Sequence, residues 1–239
     1  MARQKIEKDR KIFEDVFDTP TIRSLETMIA KKKISRIAGV IKSGKEGQVH
    51  LGFNQEGEPI IIKIYLIETS SFQKMADYIK GDRRFYNIGT DKRRLVYAWC
   101  AKEYRNLMKS YDSGLSVPKP IAFANNVLVM ELIDEKDMPA PQLSNTEIEN
   151  PKKMFAMVLE QMKMLYFKAN LVHADLSEYN ILVKDGKPIL IDMGQSVLLK
   201  HPMAQKFLER DVNNIVNFFN KKGLNLDPEK ILKQFKKKL

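Results

Sequence analysis

Between Asn180 and Asp192 lies almost nothing but a hairpin. Asn180-Ile181-Leu182-Val183 is an apolar run, Lys184-Asp185-Gly186-Lys187 is turn chemistry, and Pro188 to Ile191 runs back. That hairpin delivers Asp192, in Asp192-Met193-Gly194, after the most specific stretch of the chain, His173-Ala174-Asp175-Leu176-Ser177-Glu178-Tyr179-Asn180. The pattern is H-x-D-L-x-x-x-N. A carboxylate at Asp175 suits accepting or orienting the proton of an attacking hydroxyl or water. The amide oxygen of Asn180 and the carboxylate of Asp192 suit Mg²⁺, a hard cation that takes oxygen ligands, and Asp192 would bridge that ion to the β- and γ-phosphates of a nucleotide. Taken singly each residue has a bland reading, His173 as a satisfied core histidine for example.

Upstream, Gly39-Val40-Ile41-Lys42-Ser43-Gly44-Lys45-Glu46-Gly47-Gln48-Val49 half-matches two unrelated phosphate loops. One reading is a P-loop, G-x-x-x-x-G-K, but Glu46 takes the place of the Ser or Thr hydroxyl that holds Mg²⁺ and would repel phosphate. No helix follows either. Val49, Leu51 and Phe53 alternate with His50 and Gly52, a strand period; Asn54 to Pro59 is a turn; Ile60-Ile61-Ile62-Lys63-Ile64-Tyr65 is a β-branched strand. Strand, glycine loop, strand, turn and a strand with an internal lysine is the arrangement of the kinase Gly-rich loop, with Lys42 in place of its first glycine.

Lys63 lies inside an apolar strand, where an unpaired lysine is expensive. It needs anions: phosphates and a carboxylate, for which Glu103 on the following helix is the candidate. In order along the chain, Gly44 and Gly47, Lys63, Glu103, Asp175, Asn180 and Asp192 make one complete ATP·Mg²⁺ set of the protein-kinase kind. The expected fold is α+β and two-lobed, protein-kinase-like, with a small antiparallel-sheet N-lobe and a reduced, mostly helical C-lobe. Two departures stand out. Ala174 replaces the arginine that would pair with a phosphorylated activation loop. No A-P-E follows Asp192, and the residues after it are too few for the helices that normally hold a peptide substrate.

At 239 residues the chain suits one two-lobed domain or two small ones. Cys100 is the single cysteine, so no internal disulfide forms and a reducing compartment fits. A charged N-terminus without a signal peptide and the lack of a long apolar run point to a cytoplasmic protein without membrane contact. The net charge of +11 gathers in Lys31-Lys32-Lys33 with Arg36, in Lys80, Arg83, Arg84 and Lys92-Arg93-Arg94, and in Lys236-Lys237-Lys238. Such runs attract phosphate backbones, although they also occur as solvated surface.

The organisation expected is an N-terminal helical segment over 1–38, an N-lobe over 39–132 with a flexible insertion at about 69–95, and a C-lobe over 133–239. Helices are expected from Thr19-Pro20, over Leu95–Met108, from Asn150-Pro151 and over 203–222 with Gly223 as terminator; Pro139-Ala140-Pro141 reads as a linker. Asp211 either supports the catalytic loop from the helix beneath it or is a surface acid.

These residues resemble the RIO family of atypical kinases, type-one branch. Ser43-Gly44-Lys45-Glu46-Gly47-Gln48-Val49 resembles the family's S-T-G-K-E-A-x-V, Leu171 to Asn180 its L-V-H-A-D-L-S-E-[YF]-N, and Ile191 to Val197 its I-D-x-x-Q-[SA]-V. Trp99-x-x-Lys102-Glu103-Tyr104-Arg105-Asn106-Leu107 also fits. The resemblance spans about residues 20–220. It leaves no room before the loop for the winged-helix domain of the type-two branch, and the lack of long charged tails suits an archaeal source. Gly47 stands where alanine is usual, a change expected to loosen the loop. The resemblance implies binding of ATP with Mg²⁺, or Mn²⁺ in its place. It assigns catalysis to Asp175, Asp192 and Lys63, and metal binding to Asn180 and Asp192. Nucleotide binding goes to Ser43, Gly44, Lys45, Gly47, Val49, Lys63, Glu103, Met130, Glu131, Ile133, Asn180 and Asp192. It implies serine autophosphorylation and a role in late maturation of the small ribosomal subunit, with rRNA and proteins as partners and ATP hydrolysis through a transient phospho-aspartate at Asp192. Two other readings stay open: a small-molecule phosphotransferase of the aminoglycoside-kinase type, and a nucleotide-gated assembly factor whose kinase chemistry is vestigial.

Overall fold

The computed structural model describes residues 17–67, 75–76, 78–79, 81–85, 91–135 and 138–235. The stretch before Phe17, much of the expected insertion and the terminal lysine run lie outside them. Two compact units emerge. Of the described residues, the first takes those up to 76, 91–104 and 120–132, and the second takes 78–79, 81–85, 105–119 and 133 onward.

The first unit is an antiparallel sheet of β1 (Arg36–Ser43), β2 (Gly47–Phe53), β3 (Pro59–Tyr65), β4 (Pro120–Ala124) and β5 (Val127–Glu131), ordered β1-β2-β3-β5-β4. The β2–β3 turn closes on Gly57 at φ 83° and the β4–β5 turn on Asn125 at φ 50°, left-handed positions that glycine and asparagine tolerate. Helix α1 (Thr19–Ala30) starts on Asp18, whose carboxylate accepts from the Thr21 N–H at 3.1 Å, with Pro20 in the first turn. It packs Leu25 and Met28 against Ile60, Ile62 and Ile64 of β3 and Val127 and Val129 of β5. Each such side chain contributes about 1.5–3 kcal/mol on burial. Because strand side chains alternate, burying Ile62 and Ile64 on this face turns Lys63 to the other. Asn126 ties helix to sheet: its buried amide donates to Thr21 Oγ1 at 2.7 Å and to the Tyr65 carbonyl at 2.9 Å.

Helix α2 (Lys92–Asp112) begins a turn before the Leu95 expected from sequence. That first turn, Lys92-Arg93-Arg94, is basic and exposed and so carries no apolar signal, but Asp91 caps it by accepting the Arg94 N–H at 2.7 Å. The described parts of the expected insertion include the buried residues Met75, Ile79 and Asp82.

In the second unit, β6 (Asp134–Glu135) pairs with β7 (Met138–Pro139), and α3 (Pro151–Phe167) buries Phe155, Val158, Leu159, Met162 and Leu165. Strand β8 (Leu171–Val172) pairs with β11 (Val197–Leu198), and the hairpin β9 (Ile181–Lys184)–β10 (Lys187–Leu190) lies between them in sequence. Pro139-Ala140-Pro141 is no loose linker: Ala140 donates to Ile133 and the Pro141 carbonyl accepts from Val183 at 2.9 Å. Helix α4 (Ala204–Lys221) ends before Gly223 at φ 91°, and α5 (Pro228–Lys233) follows. The buried stripe of α4 is Leu208, Val212, Ile215, Val216 and Phe219, with one carboxylate among them, Asp211.

Candidate active site

In the first unit, Lys63 meets Glu103. Its Nζ lies 3.0 and 2.9 Å from the two carboxylate oxygens; the Glu103 side chain is 1% exposed and that of Lys63 16%. The ring of Tyr65 lies 5.1 Å from the same ammonium. A buried glutamate is tolerable only with such a partner, and removing either one weakens the hold on the other charge. The thiol of Cys100, one turn before Glu103, is pushed up by burial against the pull of Lys63.

The glycine loop joins β1 to β2. Ser43 ends β1, Gly44 donates to the Gly47 carbonyl at 2.9 Å, and Gly47 opens β2 opposite Tyr65, with Val49 opposite Lys63. Ser43, Gly44 and Lys45 are exposed. Gly47 does not loosen this loop. A Cβ there would come within 2.3 Å of the Ile64 carbonyl oxygen, so the glycine lets β2 and β3 close tightly at the lysine strand. Met130 is buried and Glu131 exposed at the end of β5, paired with Ile61 and Ile60. Ile133 lies in the second unit, buried, its carbonyl accepting from Ala140.

The second unit brings Asp175, Asn180 and the start of the Asp192 loop together. Ala174 takes φ 64° and Asp192 φ 61°, left-handed positions that cost a non-glycine residue about 1–3 kcal/mol and persist where surroundings hold them. Around Ala174 the holders come from α4. The Asp211 carboxylate accepts the N–H groups of Ala174 and Leu176 at 2.8 and 2.9 Å, Arg210 donates to the Ala174 carbonyl, and Asn214 donates to the Leu176 carbonyl at 3.0 Å. Asp211 therefore supports the loop rather than facing solvent. Burial pushes its carboxyl up to about 7, while the N–H groups of Leu176 and Ala174 pull the other way.

Asp175 presents one oxygen to two amides: Oδ2 accepts from Gln195 Nε2 at 2.9 Å and from Asn180 Nδ2 at 3.3 Å. Asn180 Nδ2 also donates to the Asp175 carbonyl at 2.8 Å. With its nitrogen so engaged, Asn180 keeps its oxygen as the end suited to a cation. Ile191, next to Asp192, donates to the Asn180 carbonyl at 3.0 Å and its own carbonyl bonds His173 Nε2 at 3.0 Å. The short hairpin thus returns Asp192 beside the loop it left. Among the described residues no cluster of three or more His, Cys, Asp or Glu is placed to hold a metal by itself. One carboxylate and one amide instead suit Mg²⁺ that takes its remaining oxygens from phosphate and water.

Sequence reasoning named Gln195 within a motif but gave it no role, and it gave none to Arg210 or Asn214. Their work is in a hydrogen bond across the fold, which spacing does not display. Among the described residues, no helix is long and apolar enough to cross a membrane.

The RIO domain family model matches residues 48–231. The chain is 42% identical over 221 residues to the RIO-type serine/threonine-protein kinase Rio1 of Haloferax volcanii, covering 92% of this chain and 76% of that one. It is 38% identical to the Rio1 of Methanocaldococcus jannaschii, covering 97% and 81%. Against the Rio1 of Thermoplasma acidophilum it is 44% identical, covering 75% and 94%. The crystal structure of the Rio2 kinase from Chaetomium thermophilum superposes with a TM-score of 0.71 at 24% identity, covering 92% of this chain and 69% of that chain. A second Rio2 structure, an ADP/Mg²⁺-phosphoaspartate complex, gives 0.70 at 24%, covering 89% and 65%. These likenesses bear out the α+β, protein-kinase-like fold. With the family model over most of its length and archaeal Rio1 kinases this similar, the chain belongs to the RIO family.

Proposed function

We propose that this protein is an ATP-dependent serine/threonine kinase of the RIO type, able to phosphorylate itself and to hydrolyse ATP. The observation that carries the reading is Asp175, directly after the strained Ala174, held by the amides of Asn180 and Gln195. A carboxylate fixed in this way is oriented to take the proton of an attacking hydroxyl, and proximity of that kind supplies much of a phosphoryl-transfer enzyme's rate. Lys63, held by Glu103, neutralises the α- and β-phosphates. Ser43, Gly44, Lys45, Gly47 and Val49 line the phosphates, and Met130, Glu131 and Ile133 complete nucleotide binding. Asn180 and Asp192 would hold Mg²⁺, or Mn²⁺, which supplies charge neutralisation at the β- and γ-phosphates when bound.

With water in place of a serine hydroxyl the same groups give an ATPase. In the route through phospho-aspartate, an Asp192 oxygen bonds the γ-phosphorus as the bond to ADP breaks, and water then releases phosphate. The Rio2 kinase of Chaetomium thermophilum has been crystallised as an ADP/Mg²⁺-phosphoaspartate complex, which supports trying this route here. The biological setting we propose is late maturation of the small ribosomal subunit in the cytoplasm, with rRNA and ribosomal proteins as partners. Support comes from the family and from the net charge of +11, which favours an RNA-rich surface. The Asp175→Ala protein should retain its fold by circular dichroism and lose phosphoryl transfer from ATP to serine and to water; undiminished transfer would sink the reading.

A further inference from the structure

We propose that Asn106, oriented by Arg84, is the positioning residue of the Asp192 loop, and that the Asp82–Arg84 pair thereby sets how strongly Mg²⁺ tightens nucleotide binding. The proposal rests on the kinase reading above and adds residues to which that reading gives no role.

Asn106 is fully buried in the second unit, and both ends of its side-chain amide are bonded. Nδ2 donates to the Met193 carbonyl at 2.9 Å and to the Ser196 carbonyl at 2.8 Å. Oδ1 accepts from Arg84 Nη2 at 2.8 Å. An amide has two donors on one end and only acceptors on the other. A flipped Asn106 would set its oxygen against two carbonyls and its nitrogen against a guanidinium, so Arg84 fixes which end faces the loop. Arg84 is fixed in turn by Asp82, whose side chain is wholly buried. Arg84 Nε lies 2.9 and 3.1 Å from the two carboxylate oxygens, and Nη2 lies 2.6 Å from Oδ2.

What the clamp grips is the turn after the metal ligand. Met193 follows Asp192 at φ 61°, Ser196 donates to the Met193 carbonyl at 3.2 Å, and both Met193 and Ser196 are buried. Gln195 sits between the two clamped carbonyls and reaches Asp175 Oδ2 at 2.9 Å. One buried amide therefore holds the backbone that carries Asp192 and the side chain that orients Asp175. It is the counterpart of Asp211 at Ala174: a buried polar side chain over-determining a left-handed residue. Losing one such bond is a roughly tenfold effect on whatever equilibrium needs the loop in place.

Three variants test it. Asn106→Asp keeps the acceptor for Arg84 but cannot donate to the carbonyls. Arg84→Ala leaves Asn106 intact and frees it to turn, and Arg84→Lys should restore part of the loss by donating to Oδ1. Calorimetry gives ADP affinity with and without Mg²⁺, and amide hydrogen exchange reports on residues 192–197 in the nucleotide-free protein, with the β9–β10 hairpin as control. In Asn106→Asp the gain in ADP affinity from Mg²⁺ should fall about tenfold and loop exchange rise about tenfold, with Mg²⁺-free affinity and hairpin exchange unchanged. Arg84→Ala should move both in the same direction by less, and carries the test if Asn106→Asp does not fold. A Mg²⁺ gain within twofold of wild type, or unchanged loop exchange, overturns the clamp. Wild-type protein that binds no nucleotide would instead sink the kinase reading.

Discussion

Replacing Asp211 by asparagine keeps the side-chain volume and one oxygen but removes the second acceptor. In the native protein both oxygens are used, by the N–H groups of Ala174 at 2.8 Å and Leu176 at 2.9 Å, and the residue is 1% exposed. In the variant one of those N–H groups faces an NH₂. An orphaned buried donor costs about 1–3 kcal/mol. Burial acts the other way, since it pushes the native carboxyl up to about 7 against the pull of the two N–H groups. The folded carboxyl therefore binds its proton more tightly than the unfolded one. Native stability from this group is greatest below the ordinary carboxylate range and is lost as pH rises through about 7. Asparagine has no such loss. Asp211→Asn should accordingly be less stable than wild type by about 1–3 kcal/mol at pH 5, with the gap narrowing by pH 8. Urea unfolding at the two pH values measures it. A gap that widens with pH would contradict the raised carboxyl. A gap under about 0.5 kcal/mol at both would show that Asp211 does not hold the loop.

Glu103→Gln removes the carboxylate that Lys63 bonds at 2.9 and 3.0 Å. It should cost about 2–3 kcal/mol in denaturant unfolding, below the ~3–5 of a wholly buried pair because Lys63 keeps some exposure, and should weaken ATP binding in the same titration. Gln195→Ala releases one hold on Asp175 and should lower kcat about 10–100-fold while KM for ATP moves less than about threefold; a change confined to KM would move Gln195 into nucleotide binding. Asn126→Ala breaks the ties to Thr21 and Tyr65 and should destabilise the protein by about 1–3 kcal/mol without altering kcat of the folded fraction, as paired melting and turnover measurements would show.

Local chemistry made much of this protein legible. The alternation in β3 alone turns Lys63 away from the core that takes Ile62 and Ile64, and turn residues at Gly57, Asn125 and Gly186 mark three hairpins. Asp175, Asn180 and Asp192 stood in a specific spacing. The supports were harder to read. Asn106 contacts residues far along the chain, and a polar residue inside a helix gives no sequence sign that it is wholly buried. Gln195 lay in a motif, but only the fold aims it at Asp175. The start of α2 was hidden because its first turn is all basic and exposed. Gly47 gave the opposite impression of its role, since the clash that excludes a side chain lies across the sheet, at Ile64.

The measurement that tests the central claim most directly follows γ-labelled ATP with Mg²⁺, in wild type and in Asp175→Ala, with and without small-subunit particles, reading released phosphate and protein-bound label separately. The account predicts label on serine of the protein itself and phosphate release in the wild type, with phosphate rising in the presence of particles, and neither in Asp175→Ala. Transfer that is equal in both proteins, or absent from the wild type, would contradict it.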